Sequence, residues 1–162
     1  MTIGYEGAVL CAFIETLLAA KVLRLIDVRE LPLSRKRGFS KNALSLALES
    51  AGIEYLHLRA LGDPKAGREA ARRGDRASFV HIFNQHLESP KAVAALEVAS
   101  MYVTDVSSCL MCYEREYTDC HRSIVADALA KRNKMAIQHL TVPPMQATFA
   151  MDDQQYAHAA LG

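Results

Sequence analysis

The sequence has almost no excess of charge of either sign: 19 Lys and Arg stand against 18 Asp and Glu in 162 residues. That balance withholds the global electrostatic footprint of a nucleic-acid binder, so any anion site has to come from local clustering. No apolar run approaches the roughly 18 residues that a membrane span needs, and no membrane partner is expected. The opening MTIGYEGAVL lacks the basic start and cleavage site of a secretory signal. Cysteine is sparse, four in all. Without a signal these are expected to be reduced thiols of a cytoplasmic protein rather than a disulfide framework. Internal repeats and low-complexity segments are absent too. What remains is a chain that is 51% apolar, ordinary for a globular protein and too apolar for disorder. Its length suits one domain with a single sizeable core.

The apolar pattern alternates between short runs and helical spacing. Thr2 to Tyr5 reads as a strand, followed by Leu10, Phe13, Ile14, Leu17 and Leu18 at helical intervals up to Lys21. Val22 to Val28 reads as a buried strand, and RELPLSRKRGFS after it as irregular, since Pro32 and Gly38 discourage regular structure. Ser40 is a natural N-cap for a helix carrying Leu44, Ala47 and Leu48, which Gly52 would stop. Ile53 to Leu58 is a third strand. Helices are expected over Ser78 to Leu87 and from Pro90 to about Met101, with Pro90 in the first turn. Ser108 to Cys112 is a fourth strand, Cys120 to Arg132 a helix and Met135 to Leu140 a fifth strand. The expected fold is therefore α/β: one domain, residues 1–142, with a mainly parallel sheet of roughly five strands flanked by helices. Residues 143–162, after the break at Pro143-Pro144, form a tail with weak helical character from Asp152 to Leu161.

In open α/β sheets ligands bind beyond the carboxyl ends of the strands. The expected strand ends are Gly4-Tyr5-Glu6-Gly7, Asp27-Val28-Arg29, His57-Leu58-Arg59 and Cys112-Tyr113-Glu114. Most residues with chemical potential thus share one edge. TIGYEG, LIDVRELPLSRKRGFS, GIEYLHLRALGD and CYEREYTDCHRS, in this order, resemble the family of bacterial proteins catalogued as domain of unknown function 488. The resemblance spans roughly residues 2 to 140. It implies family positions at Tyr5, Asp27, Arg29, Ser34, Gly38, Phe39, Cys112, Glu114, Cys120, His121 and Arg122. One departure is Asp63, where Leu-Gly-Gly would be more usual than LGD. The order LIDVRE, a strand ending in cysteine, a loop and Arg-Ser is also similar to rhodanese-like sulfurtransferases and cysteine phosphatases. In those proteins a short glycine-bearing loop cradles an anion. Here Arg122 follows Cys112 by ten positions without such glycines, so the likeness supports a thiolate and an anion but neither activity.

Three readings compete at Cys112, Glu114, Cys120, His121 and Arg122: a catalytic thiol, a metal site, or nothing more than a polar loop. The leading one is a catalytic thiol. If Thr118 or Asp119 caps the helix, Cys120 sits in its first turn, where the dipole and exposed N–H groups lower a thiol pKa. Glu114, Glu116 and Asp119 oppose that. His121 or Glu114 would move protons, and Cys112 would be an alternative nucleophile or a resolving thiol. Cys11 and Cys109 read as small buried hydrophobes. The second chemistry is a metal site with Cys112, Glu114, Cys120 and His121 as ligands. Adjacent Cys and His rarely aim at one ion, so no cofactor is expected and a bound ion stays the lesser alternative.

Anion binding is a separate reading, of the segment Arg29 to Ser40. Arg29, Arg35, Lys36 and Arg37 concentrate charge before a helix N-terminus, Ser40 starts that helix, and Phe39 could stack on a base or anchor the helix. Asp27 could hold Arg29 as an ion-pair partner. KAGREAARRGDR, Lys65 to Arg76, reads as a solvated loop or helix, with a phosphate-contacting flap as the rival. Two functional classes follow. One is a thiol-dependent enzyme on an anionic, phosphate-bearing substrate, a small molecule or nucleic acid, with Tyr5, Asp27, Arg29, Arg35, Arg37, Phe39, Ser40 and Arg122 in its binding surface. The other is a non-catalytic nucleotide or nucleic-acid binding module. The sequence leaves oligomeric state open.

Overall fold

The computed structural model describes residues 1–143. The expected tail from Asp152 to Leu161 lies outside the described residues. The chain forms β1 (Thr2–Gly4), α1 (Leu10–Ala19), β2 (Arg24–Asp27), α2 (Lys41–Ser50) and β3 (Glu54–His57). It continues as α3 (Lys65–Arg72), α4 (Arg76–Leu87), α5 (Pro90–Asp105), β4 (Ser108–Cys112), α6 (His121–Asn133) and β5 (His139–Leu140). Every strand pair is parallel, in the order β3-β2-β4-β1-β5. The α/β reading of the alternating pattern holds.

Side chains on a strand alternate between faces, and this splits the core in two. Leu25, Cys109 and Met111 join α1 and α2 residues such as Phe13, Leu17, Leu44 and Leu48 on one face. Ile26, Leu110 and Cys112 join Phe83, Ala99, Val125 and Leu129 from α4, α5 and α6 on the other. The result is a three-layer sandwich with β4 at its centre.

Element ends differ from the pattern where local chemistry intervenes. Strand β2 starts at Arg24 rather than Val22, because Lys21 adopts a left-handed φ of 55° and the turn takes two more residues. Helix α4 starts at Arg76, since Asp75 rather than Ser78 is the cap: its carboxylate accepts the Ser78 N–H at 3.0 Å. Helix α5 runs to Asp105, and β5 shrinks to two residues. Ser40 does occupy the N-cap of α2, but its hydroxyl reaches back to Ser34 instead of the helix N–H groups. The basic run becomes α3, a true helix whose Gly67 and Ala70 are buried. Among the described residues no helix is long and apolar enough to cross a membrane.

Candidate metal centre beside a cation-lined cleft

Gly4, Asp27 and Cys112 end three neighbouring strands at the same edge. The loop after β4 folds back over β1. Tyr5 N donates to Cys112 O and Glu6 N to Tyr113 O, while Arg115 N donates to the Glu6 carboxylate at 3.0 Å. The fit is so close that a Cβ at Gly4 would lie 1.8 Å from Glu114 O. Only glycine lets the two backbones meet this way.

Arg122 fastens the same loop from the other side. Its guanidinium donates to Glu114 O and, at 3.0 Å, to Arg115 O. The side chain is buried and is absent from the cleft lining. The expectation that Arg122 faces an anion is thus corrected: its Nη1 and Nη2 are turned onto the carbonyls of the 114–115 loop, and its Nε is buried without a hydrogen-bond partner.

With the loop held, four side chains converge. The Cys112 and Cys120 thiols donate to one Glu114 oxygen, Oε2, at 3.1 and 3.0 Å. Their sulfurs lie 3.7 and 3.9 Å from His121 Nδ1. One ligand atom from each of the four residues falls within 4.8 Å of the others. His121 Nε2 is 2.8 Å from Val28 O. A carbonyl only accepts, so Nε2 carries a hydrogen, and once Nδ1 is deprotonated its lone pair faces the sulfurs.

Adjacent Cys120 and His121 share this point because Cys120 is itself the N-cap of α6. Neither Thr118 nor Asp119 caps the helix; both lie in a short 3-10 turn before it. The extended Cys120 backbone, φ −121° and ψ 142°, turns its sulfur back over the helix start, where it accepts the Arg122 N–H at 3.4 Å. Cys109 and Cys112 stand three apart, a ligand-like spacing, but strand alternation sends them to opposite faces.

The electrostatics overturn the expected low thiol pKa. Burial pushes Cys112 up, and the neighbouring Glu114 carboxylate adds to it. Cys120 is pushed well up, first by burial and then by Cys112. Cys109, fully enclosed, rises to about 12. Burial also opposes the Glu114 carboxylate, yet the two thiol hydrogen bonds outweigh it and hold this acid below its usual range. For His121 burial disfavours the cation, but Cys120, the Val28 carbonyl and Glu114 prevail, raising it to about 9. The two thiols and His121 are thus protonated groups gathered around an ionised Glu114 rather than an isolated activated thiolate.

Cys112, Glu114 and His121 line a cleft of about 700 Å³. Arg29, Arg35, Lys36, Arg68 and Arg72 also line it, against the acids Glu30, Asp63 and Glu114. Arg29 is committed: Nη2 binds Asp27 at 2.6 Å, Nε binds both Asp27 oxygens, and Nη1 donates to Tyr5 OH and Phe39 O. Burial works against the Arg29 cation, but Asp27 more than compensates and raises its pKa. Tyr55 donates to the same carboxylate at 2.6 Å.

Other expected binding residues stand elsewhere. Phe39 is buried, its ring stacked on Tyr5 at 4.4 Å and edge-on to Phe13. Base stacking is therefore closed to it, and the role of helix anchor is the one its packing supports. Arg37 and Ser40 are absent from the lining, whereas Tyr5, Arg29 and Arg35 are in it.

Sequence reasoning missed Val28, whose contribution is a backbone carbonyl and so leaves no residue-type signal. It also missed Asp63 as a cleft residue. Asp63 is buried and its Oδ1 has no hydrogen-bond partner. Burial, only partly offset by His121 and Arg68, lifts it to about 6. Its departure from the usual LGG was the available signal.

Comparison with known proteins agrees with the motif order. No curated protein and no solved structure matches the chain. The family model described as domain of unknown function DUF488 matches residues 10–129, a stretch that runs from α1 into α6 and takes in all four converging side chains. The chain belongs to the DUF488 family.

Proposed function

We propose that the protein is a metalloenzyme whose Cys112, Cys120, His121 and Glu114 hold a divalent, zinc-type ion at the floor of a cleft that receives a phosphate-bearing substrate. The observation that carries this reading is the convergence of four donors with His121 already locked by Val28. A ligating histidine nearly always donates its second ring N–H to a carbonyl or carboxylate, and this one does. The sulfur–oxygen and sulfur–nitrogen separations, 3.0 to 3.9 Å, are near the edges of a tetrahedron with metal–ligand bonds of about 2.0 to 2.3 Å. Thiolate and imidazole ligands suit zinc better than magnesium or calcium.

Half-buried Glu114 faces the cleft together with Cys112 and His121. Two thiolates and an imidazole make the three-ligand set of a catalytic site, and the carboxylate is the member a substrate could displace. An ion so held supplies Lewis acidity. Glu114, once displaced, stays within reach to carry a proton. Arg35, Lys36 and Arg72 would hold the anionic group. A reducing, cytoplasmic compartment fits the reduced thiols this chemistry needs.

The test is metal content. Protein purified without chelator should carry about one zinc-type ion per chain, and cobalt substitution should give thiolate-to-metal charge-transfer absorption. Cys112→Ser and His121→Ala should each lose the ion. Rapid alkylation of Cys112 or Cys120 in metal-free protein, with no affinity for zinc or cobalt, would return the site to thiol catalysis and sink the metal reading.

A further inference from the structure

We propose that the cleft is built for a nucleoside phosphate, a ligand with one anionic end and one flat, largely apolar ring system. The proposal rests on the reading of this cleft as the substrate site. Three of its cations, Arg35, Lys36 and Arg72, have no ion-pair partner among the described residues, whereas Arg29 and Arg68 each have one. Unpaired guanidinium groups on a concave wall match phosphate in geometry and charge.

The same cleft exposes apolar surface. Leu33 is 76% exposed, Leu31 52% and Tyr113 46%, and all three line it. Single exposed leucines are ordinary, but large apolar side chains gathered at one concavity mark a surface that a ligand removes from water. Inorganic phosphate or a sugar phosphate would leave that surface wet. A nucleobase covers it, and Tyr113 offers the aromatic face on which bases of any sequence stack.

Acids set the remaining boundary. Glu30, Asp63 and Glu114 share the lining, so a polyanion laid along the cleft would meet carboxylates. One phosphate at the cationic end, with an uncharged remainder, avoids that repulsion. The cleft volume of about 700 Å³ falls within the range of small-ligand sites.

The experiment is equilibrium binding of adenosine monophosphate, ribose phosphate and inorganic phosphate to the zinc-treated full chain, with zinc counted in the same samples. Adenosine monophosphate should bind about tenfold or more tighter than ribose phosphate, the contribution expected of one stacked base. Leu33→Asn, which adds no charge, should cut that preference by weakening adenosine monophosphate more than ribose phosphate. Joint Arg35→Ala and Arg72→Ala should weaken all three ligands. Equal binding of the nucleotide and ribose phosphate, or no nucleotide binding by zinc-loaded protein, overturns the proposal. Nucleotide preference in protein that holds no zinc upholds it and removes the metal centre instead.

Discussion

Replacing Gly4 with alanine tests how the centre is assembled without touching a proposed ligand. The new Cβ would lie 1.8 Å from Glu114 O, 2.7 Å from Glu114 C and 3.1 Å from Arg115 Cα, all backbone atoms. An ordinary carbon–oxygen contact needs about 3.3 Å, so the loop must retreat by roughly 1.5 Å or β1 must shift. Neither is cheap. The Arg122 guanidinium holds both loop carbonyls, and Glu6 accepts the Arg115 N–H. Overpacking of this kind costs about 1–3 kcal/mol, and each hydrogen bond lost adds about 1 kcal/mol. A destabilisation of about 2–4 kcal/mol follows, read as a lower urea midpoint with the slope unchanged. The same retreat carries Glu114 away from the sulfurs it bridges, so zinc affinity should fall in any fraction that remains folded. A Gly4→Ala protein with native urea midpoint and native zinc affinity would refute this account of the loop.

Asp27→Asn leaves the buried Arg29 guanidinium without its carboxylate, and breaking a buried pair costs about 3–5 kcal/mol; chemical denaturation should show a loss of that size. Zinc affinity should climb steeply with pH through neutrality, because the raised Cys112, Cys120 and His121 must each lose a proton to ligate; competition against a chelator at several pH values would read a slope of up to about three protons, and a flat profile would exclude this ligand set. Asp63, near 6 when folded and in the ordinary carboxylate range when unfolded, binds its proton more tightly in the native state. Its contribution to stability is therefore present at low pH and is lost as pH rises from about 4 to about 6. In Asp63→Asn that decline should disappear from the urea midpoints.

The alternation of apolar runs determined the α/β class, because a strand buried on both faces and a helix with one apolar face leave different periods in the chain. Motif order gave the family, and strand ends gave the shared edge, since parallel strands direct all their carboxyl ends one way. Within that frame the sequence named Cys112, Glu114, Cys120 and His121, and it offered Asp27 as the partner of Arg29. Their mutual geometry was not legible. Cys120 and His121 look unable to share a point until the extended N-cap backbone turns the sulfur back. The Val28 carbonyl that sets the histidine tautomer lies just past the end of β2, 93 residues away in sequence, and a main-chain acceptor has no residue type to read. Arg122 looked like an anion holder because its charge is local information; that its Nη1 and Nη2 are turned onto two backbone carbonyls, away from the cleft, is tertiary information. Phe39 was equally a base platform or an anchor until Tyr5 and Phe13 closed around it. Residue types and their periods are written in the chain, whereas desolvation and distance exist only once remote segments meet, and those two quantities decided which groups here are bonded, protonated or open to a ligand.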